Sequence, residues 1–168
     1  MLPSKLKNFN YFAGGTSFIH QVPEITLPKI VEKTEGYRGG GMNGELDISL
    51  GLEKLELELT VGGIAVPIMR QMGMVGVAGA ISRFAGAYQE ESAGTWLSAE
   101  VITRGKWIEF DPGNAKPGDD TEHKFKQTAA YLRWDVNGST EIEIDILNNI
   151  YRVGGVDRLA EMRAILGQ

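Results

Sequence analysis

The chain contains no cysteine. That excludes disulfide bonds and zinc–thiolate centres and agrees with folding in a reducing cytosol. Histidine is nearly absent too: His20 and His123 are the only two, which leaves little for imidazole-based catalysis. There is no Gly-x-Ser-x-Gly elbow to present a serine nucleophile. No apolar run approaches the ~20 residues needed to cross a bilayer. Residues 1–10 hold two lysines but lack the apolar core of a secretory signal, so no membrane anchor is expected. Positive charge is in short supply, with 17 Lys and Arg against 22 Asp and Glu, a net charge of −5. That balance argues against sequence-independent grip on nucleic acid, which needs a basic surface. No sequence repeat and no low-complexity tail is present.

What is there fits a globular protein. The 168 residues are 42% hydrophobic and 23% charged, which predicts one domain spanning residues 1–168 with a real core. Glycine is plentiful: 22 residues, about twice the average share of roughly 7%.

The chain is organised around residues 27–61, which read as one long hairpin. The first arm is Leu27 to Tyr37, the tip is Arg38-Gly39-Gly40-Gly41-Met42-Asn43-Gly44, and the second arm is Glu45 to Val61. Apolar residues alternate with polar ones along the second arm, a strand signal. Leu46, Ile48, Leu50 and Leu52 share one parity, and Leu55, Leu57, Leu59 and Val61 take the other. A change of parity needs a bulge or corner, and Gly51-Leu52-Glu53-Lys54 is its natural place. The opposite face carries Glu45, Asp47 and Ser49, then Glu56, Glu58 and Thr60. Like charges spaced so closely require water.

Elsewhere, Ile64 to Met72 is expected to be a short helix, with Pro67 in its first turn and an apolar stripe of Ile64, Ile68, Met69 and Met72. Residues 81–88, 95–110 and 121–136 read as strands. Asn137-Gly138 is the strongest hairpin turn in the chain and leads into a strand over 141–147, where Ile142, Ile144 and Ile146 alternate with Glu141, Glu143 and Asp145. A final helix is expected over 156–166, its stripe being Val156, Leu159, Met162 and Leu166 and its stop Gly167. The expected fold is mainly β: an antiparallel β-barrel or sandwich with a long protruding hairpin and two short flanking α-helices.

The search for chemistry excludes more than it finds. The glycine tip lacks the Gly-Lys-Ser/Thr ending of a phosphate loop and precedes a strand rather than a helix. Asp111, Asp119, Asp120 and Glu122 lie near His123, but their spacing is not that of an EF-hand and reads as a solvated loop. No catalytic, metal or cofactor site is expected. The acidic rows Glu45, Asp47, Glu56, Glu58 and Glu141, Glu143, Asp145 are read as one shared wet surface, such as a channel wall. Acidic walls repel DNA, which is useful where DNA must pass without sticking.

Several blocks carry a family resemblance. Thr26-Leu27-Pro28-Lys29, then Lys33-Thr34-Glu35-x-Tyr37-Arg38-Gly39-Gly40-Gly41-Met42, resembles the major tail tube protein of contractile-tailed phages and the tube protein of R-type pyocins. The similarity continues through Leu50-Gly51-Leu52-Glu53, Asp111-Pro112-Gly113, and Gly154-Gly155-Val156-Asp157-Arg158-Leu159-Ala160-x-Met162-Arg163. It spans nearly the whole chain, and nothing is carried over for residues 64–94. The resemblance implies a small β-barrel or sandwich that forms hexameric rings, stacked into a tube inside a contractile sheath, with hairpin strands lining the lumen. It implies no enzyme activity. The implied partners are the chain itself, the tail sheath, baseplate, tape-measure and terminator proteins, and DNA in transit. The implied location is the virion tail or a phage-tail-like particle, assembled in the bacterial host cytoplasm.

The lumen face is then expected at Glu45, Asp47, Glu56, Glu58, Glu141, Glu143 and Asp145, and the inter-ring contact at Arg38, Gly39, Gly40, Gly41, Met42, Asn43 and Gly44. Leu46, Ile48, Leu50, Leu55, Leu57, Leu59, Ile142, Ile144 and Ile146 are expected to face the core. The tube of a non-phage injection machine shares the same physics. A ligand-binding β-barrel needs an apolar cavity and is disfavoured by the acidic faces.

Overall fold

A computed structural model describes residues 1–168 as twelve strands and two short helices. In chain order these are β1 (Lys5–Ala13), β2 (Thr16–Ser17), β3 (Glu24–Thr26), β4 (Glu32–Tyr37), β5 (Leu46–Leu52), β6 (Leu55–Gly62), α1 (Val66–Met69), β7 (Ala80–Glu90), β8 (Thr95–Asp111), β9 (Glu122–Val136), β10 (Ser139–Asp145), β11 (Ile150–Val153), β12 (Val156–Asp157) and α2 (Ala160–Leu166).

Ten strands form one antiparallel sheet, ordered β12-β11-β10-β9-β8-β7-β1-β2, with β6 paired to both β3 and β9. The long strand β9 organises it. Along one edge β9 pairs with β8. Its other edge is divided: Glu122–Ala129 pairs with β6, and Tyr131–Val136 pairs with β10. The two ends of the sheet do not pair with each other, so of the expected barrel or sandwich the fold is consistent with the sandwich and not a closed barrel. The sheet instead curls over two apolar clusters. One holds Tyr11, Phe18, Leu57, Leu59, Val61, Ile68, Trp107 and Phe125. The other holds Leu55, Phe84, Val101, Leu132 and Ile144. Leu55, Leu57, Leu59 and Val61 are buried, as period-2 alternation requires.

The buried polar side chains of Thr103, Gln127, Tyr11 and Ser82 are paired. The Thr103 hydroxyl donates to Gln127 Oε1 at 2.7 Å, and Gln127 Nε2 donates to the Ala80 carbonyl at 2.9 Å. The Tyr11 hydroxyl lies 2.8 Å from Ser82 Oγ, and burial pushes the Tyr11 phenol far up. Such pairing avoids the desolvation cost of an orphaned group.

The expected single hairpin over 27–61 is not one element. Its second arm breaks at Glu53-Lys54 into β5 and β6, which belong to different sheets. The β4–β5 pair stands alone as a two-stranded sheet. At the break Gly51 has φ +113°, a conformation costly for any residue with a Cβ. The pairing register also slips between Glu32 and Thr34. The arm joins the body at this corner, where the Glu53 N–H donates to the Val31 carbonyl at 2.8 Å.

Four further expectations need correction. Leu46, Ile48 and Leu50 do not face the core: each is exposed, because no second layer covers β5. Ile146 lies past the end of β10 and is exposed. The helix expected over 64–72 is a single turn, Val66–Met69, with Pro67 in its first turn and only Ile68 buried. The C-terminal helix begins at Ala160, not Val156. Val156 and Asp157 pair with β11 as β12, and Gly167 closes α2 in the left-handed conformation.

Candidate functional site

Two surfaces carry the candidate residues. The first is the arm. Opposed residues of an antiparallel pair share a face. Glu35 lies opposite Ile48 and Tyr37 opposite Leu46, so these four sit on one side. Gly36 lies opposite Asp47 and Thr34 opposite Ser49, so these sit on the other. One face is therefore aliphatic and the other polar. Every residue of β4 and all but Leu52 of β5 are exposed. Tyr37, Leu46, Ile48 and Leu50 are 53%, 50%, 45% and 54% exposed. The Glu45 side chain folds across Gly36, where a Cβ would collide with its carboxylate.

The tip is a closed turn. The Met42 N–H donates to the Gly39 carbonyl at 3.2 Å, and Arg38 Nε donates to the Met42 carbonyl at 3.2 Å. Arg38, Gly39, Gly40, Gly41, Met42, Asn43 and Gly44 thus form the far end of the arm.

The second surface is the outward face of the main sheet along the divided edge of β9. Glu58 lies opposite Lys126 and Glu56 opposite Thr128. Asp145 lies opposite Tyr131 and Glu143 opposite Arg133. The sheet therefore brings Glu56, Glu58, Glu143 and Asp145 to one face. It places Glu45 and Asp47 elsewhere, on the arm. Glu141 is exposed where the register slips between Thr140 and Ile142.

The carboxylates of this face are not free. Lys54 Nζ is 2.9 Å from Glu56. Lys126 Nζ is 3.5 Å from Glu58, 3.6 Å from Glu109 and 4.0 Å from Glu56. The hydrogen bond from Lys54, with the nearby Lys126 charge, holds the Glu56 carboxyl below its ordinary value. Glu109 and Glu56 raise the Lys126 ammonium in turn. Glu143 accepts from the Tyr131 hydroxyl at 2.9 Å and from Arg152 at 3.0 Å. Burial first, and Glu143 second, push the Tyr131 phenol up. Asp145 is a turn cap: its carboxylate accepts from the Leu147 and Asn148 N–H groups at 3.1 Å and from Asn148 Nδ2 at 2.7 Å.

Sequence reasoning missed these cations. Strand register aligns Arg83, Ile102, Arg133, Glu143, Arg152 and Asp157 in one row across β7 to β12. Arg83 binds Glu100 at 3.0 Å, and Arg104 lies over the Tyr131 ring at 5.1 Å. The signal was available in part, because Lys124 and Lys126 flank buried Phe125 and Tyr131 and Arg133 flank buried Leu132, so all four take the outward positions. The outward face of the sheet thus alternates in sign, whereas Glu45 and Asp47 on the arm have no cation partner.

Of the histidines and the acidic group, Asp111 borders the outward face, lining one depression with Glu58, Glu109 and Lys126. His123 is half-buried, edge-on to Phe110 at 5.3 Å. His20 sits in an exposed turn with φ +68°. Asp111 accepts the Gly113 N–H at 2.9 Å and so caps the loop that follows β8.

Comparison with known proteins bears on what such surfaces serve. The family described as phage tail tube protein FII matches residues 3–167. The chain is 39% identical over 169 residues to the tail tube protein of Escherichia phage P2, covering 99% of this chain and 98% of the relative. It is 39% identical over 156 residues to the major tail tube protein of Serratia phage KSP20, covering 92% and 90%. In fold it is similar to the sheath/tube terminator of an extracellular contractile injection system, PVC, with a TM-score of 0.61 at 12% identity, covering 80% of this chain and 98% of that one.

Proposed function

The chain belongs to the phage tail tube protein FII family, and we propose that six copies close into a ring and that rings stack into the inner tube of a contractile tail. It is a structural tail tube protein of a phage or phage-tail-like particle. The observation that carries the ring-and-stack reading is the arm. Two strands with no further pairing partner and an uncovered aliphatic face make a poor monomer surface, since open strand edges invite pairing with another chain. An isolated two-stranded hairpin is also marginal in water. A second copy remedies both. A closed head-to-tail contact yields a ring, and stacked rings yield a filament.

In this reading the polar face of the arm, with Glu45 and Asp47, looks into the lumen. Glu56, Glu58, Glu141, Glu143 and Asp145 line the same wall. The cations beside Glu56, Glu58 and Glu143 make their contribution a short-range alternating field. The unpaired arm carboxylates supply the net repulsion that lets a polyanion slide past. The tip Arg38–Gly44 reaches the adjacent ring. The role is architectural, with no catalytic step. The partners are further copies of the chain, the tail sheath, baseplate, tape-measure and terminator proteins, and DNA in transit. The protein resides in the virion tail and assembles in the host cytoplasm. The fold likeness to a component of a non-phage contractile injection system supports a second reading, the tube of a particle that perforates an envelope without delivering DNA.

The test replaces Gly39, Gly40 and Gly41 with valine. Gly41 has φ +81°, and a Cβ at Gly39 would meet the Tyr37 hydroxyl at 2.9 Å, so the tip is remodelled while the body stays folded. The expected result in electron microscopy is a folded protein that makes no tubes, where the unaltered chain does. Normal tubes from the variant would overturn the role of the tip. A lone cysteine introduced by Asp47→Cys should react slowly with a bulky thiol reagent in end-capped tubes and fast in the dispersed chain.

A further inference from the structure

A groove of roughly 680 Å³ runs between the root of the arm and the β10–β11–α2 corner. Its apolar lining includes Leu50, Leu52, Ile146, Ile150, Leu159 and Met162, and the exposed Arg158 lines it with them. The groove is too apolar to be left to water without cost, and α2 has no buried residue to close it. The same chain carries an uncovered strip of matching character, Leu46 and Ile48 at period-2 spacing with Tyr37, all exposed, while Leu50 lines the groove itself.

Charge selects the occupant. Glu35 sits within the strip, opposite Ile48, and takes part in none of the ion pairs of the chain. Arg158, on the body wall of the groove, also has no ion-pair partner. Lys33 near the root of the strip and Glu32 on the arm wall of the groove are equally unpaired. The strip thus offers one free acid and one free base, and the groove offers one base, Arg158, and two acids without an ion-pair partner, Glu32 and Asp145. Resting on the assembly reading above, we propose that the aliphatic strip of one copy seats in the groove of another, with Glu35 paired to Arg158. The contact is heterologous, strip to groove. Each copy therefore uses both surfaces, and the assembly propagates rather than stopping at a dimer. It also turns the polar face with Asp47 away from the covering subunit, since the two faces of the arm are opposite.

The absence of cysteine gives a direct test. Two single variants of the full chain, Ile48→Cys and Met162→Cys, are prepared separately, mixed, allowed to assemble, and oxidised. The expected product is a mixed disulfide joining one variant to the other, formed in the assembled fraction and absent from either variant alone. Independently, Glu35→Arg and Arg158→Glu should each weaken assembly, read by sedimentation, by about fivefold or more. The double variant should recover most of that loss, as expected of a coupled pair. Neither exchange should alter the unfolding midpoint of the dispersed chain, because both side chains are exposed. Assembled material without the mixed disulfide, or additive losses in the double variant, would overturn strip-to-groove docking while leaving the tube reading intact. Unaltered protein that stays monomeric when concentrated would overturn the tube reading and this contact together.

Discussion

Gly105 lies against the Thr128 carbonyl so closely that a Cβ built on it would stand 1.9 Å from that oxygen and 2.8 Å from the Ala129 Cα. These are backbone atoms, so no rotamer change relieves the clash. The β8–β9 register slips at this point, between Arg104 and Gly105. Gly105→Ala must therefore push apart the two longest strands of the sheet. The expected loss is about 3 kcal/mol, the upper end for overpacking. Urea unfolding measures it as a lower midpoint at unchanged slope.

Glu90 fastens the β7–β8 turn to the start of the chain. Its carboxylate accepts from the Leu2 N–H at 2.9 Å, from the Ser92 N–H at 2.9 Å, from the Ser92 hydroxyl and from the Ala93 N–H at 2.9 Å. The Ser92 hydroxyl leads these donors in holding the group at about 2, against an ordinary 4.5. A depressed carboxylate stabilises the fold fully above its unfolded value and loses that contribution as pH falls through the folded one. Thermal midpoints recorded across the interval from 4.5 down to 2 should fall more steeply for the native chain than for Glu90→Gln. Parallel curves for the two proteins would contradict this role.

On the outward face, Lys54 and Lys126 share the work of holding Glu56 ionised, and the hydrogen bond from Lys54 ranks first. Lys54→Ala should therefore raise the Glu56 carboxyl further than Lys126→Ala does. Carboxyl carbon shifts followed by NMR as a function of pH give the comparison. The Lys126 change should in addition raise the salt sensitivity of assembly, because the ammonium that sits among Glu56, Glu58 and Glu109 is gone.

Much of this was readable from local pattern. Alternation over Leu55–Val61 named a buried strand, Asn137-Gly138 named a hairpin turn, and the break in parity near Gly51 was placed correctly. These features depend on neighbours one or two residues away, where backbone geometry and side-chain period act directly. Helix ends were read less well. Val156 and Asp157 fit a helical stripe, but a ladder to Arg152 and Val153 makes them a strand, and a register partner cannot be seen in a period.

The candidate surfaces divide along the same line. Composition and alternation alone established a chain without thiol chemistry, an antiparallel β architecture, a glycine tip and two rows of carboxylates. The fold decided what each row meets. Alternation states that Leu46 and Leu57 each point to one side of a strand, and it is silent on whether anything lies there. Leu57 found a second layer and Leu46 did not, because the corner at Glu53-Lys54 sends β5 out of the sheet that contains β6. Glu58 and Lys126 are far apart in the chain and face each other only because β6 pairs with β9 in one register. A shift of that register by one residue would turn every such pair inside out. Long-range strand pairing, and not the local pattern, assigned the acidic rows to a charge-balanced sheet and a bare arm.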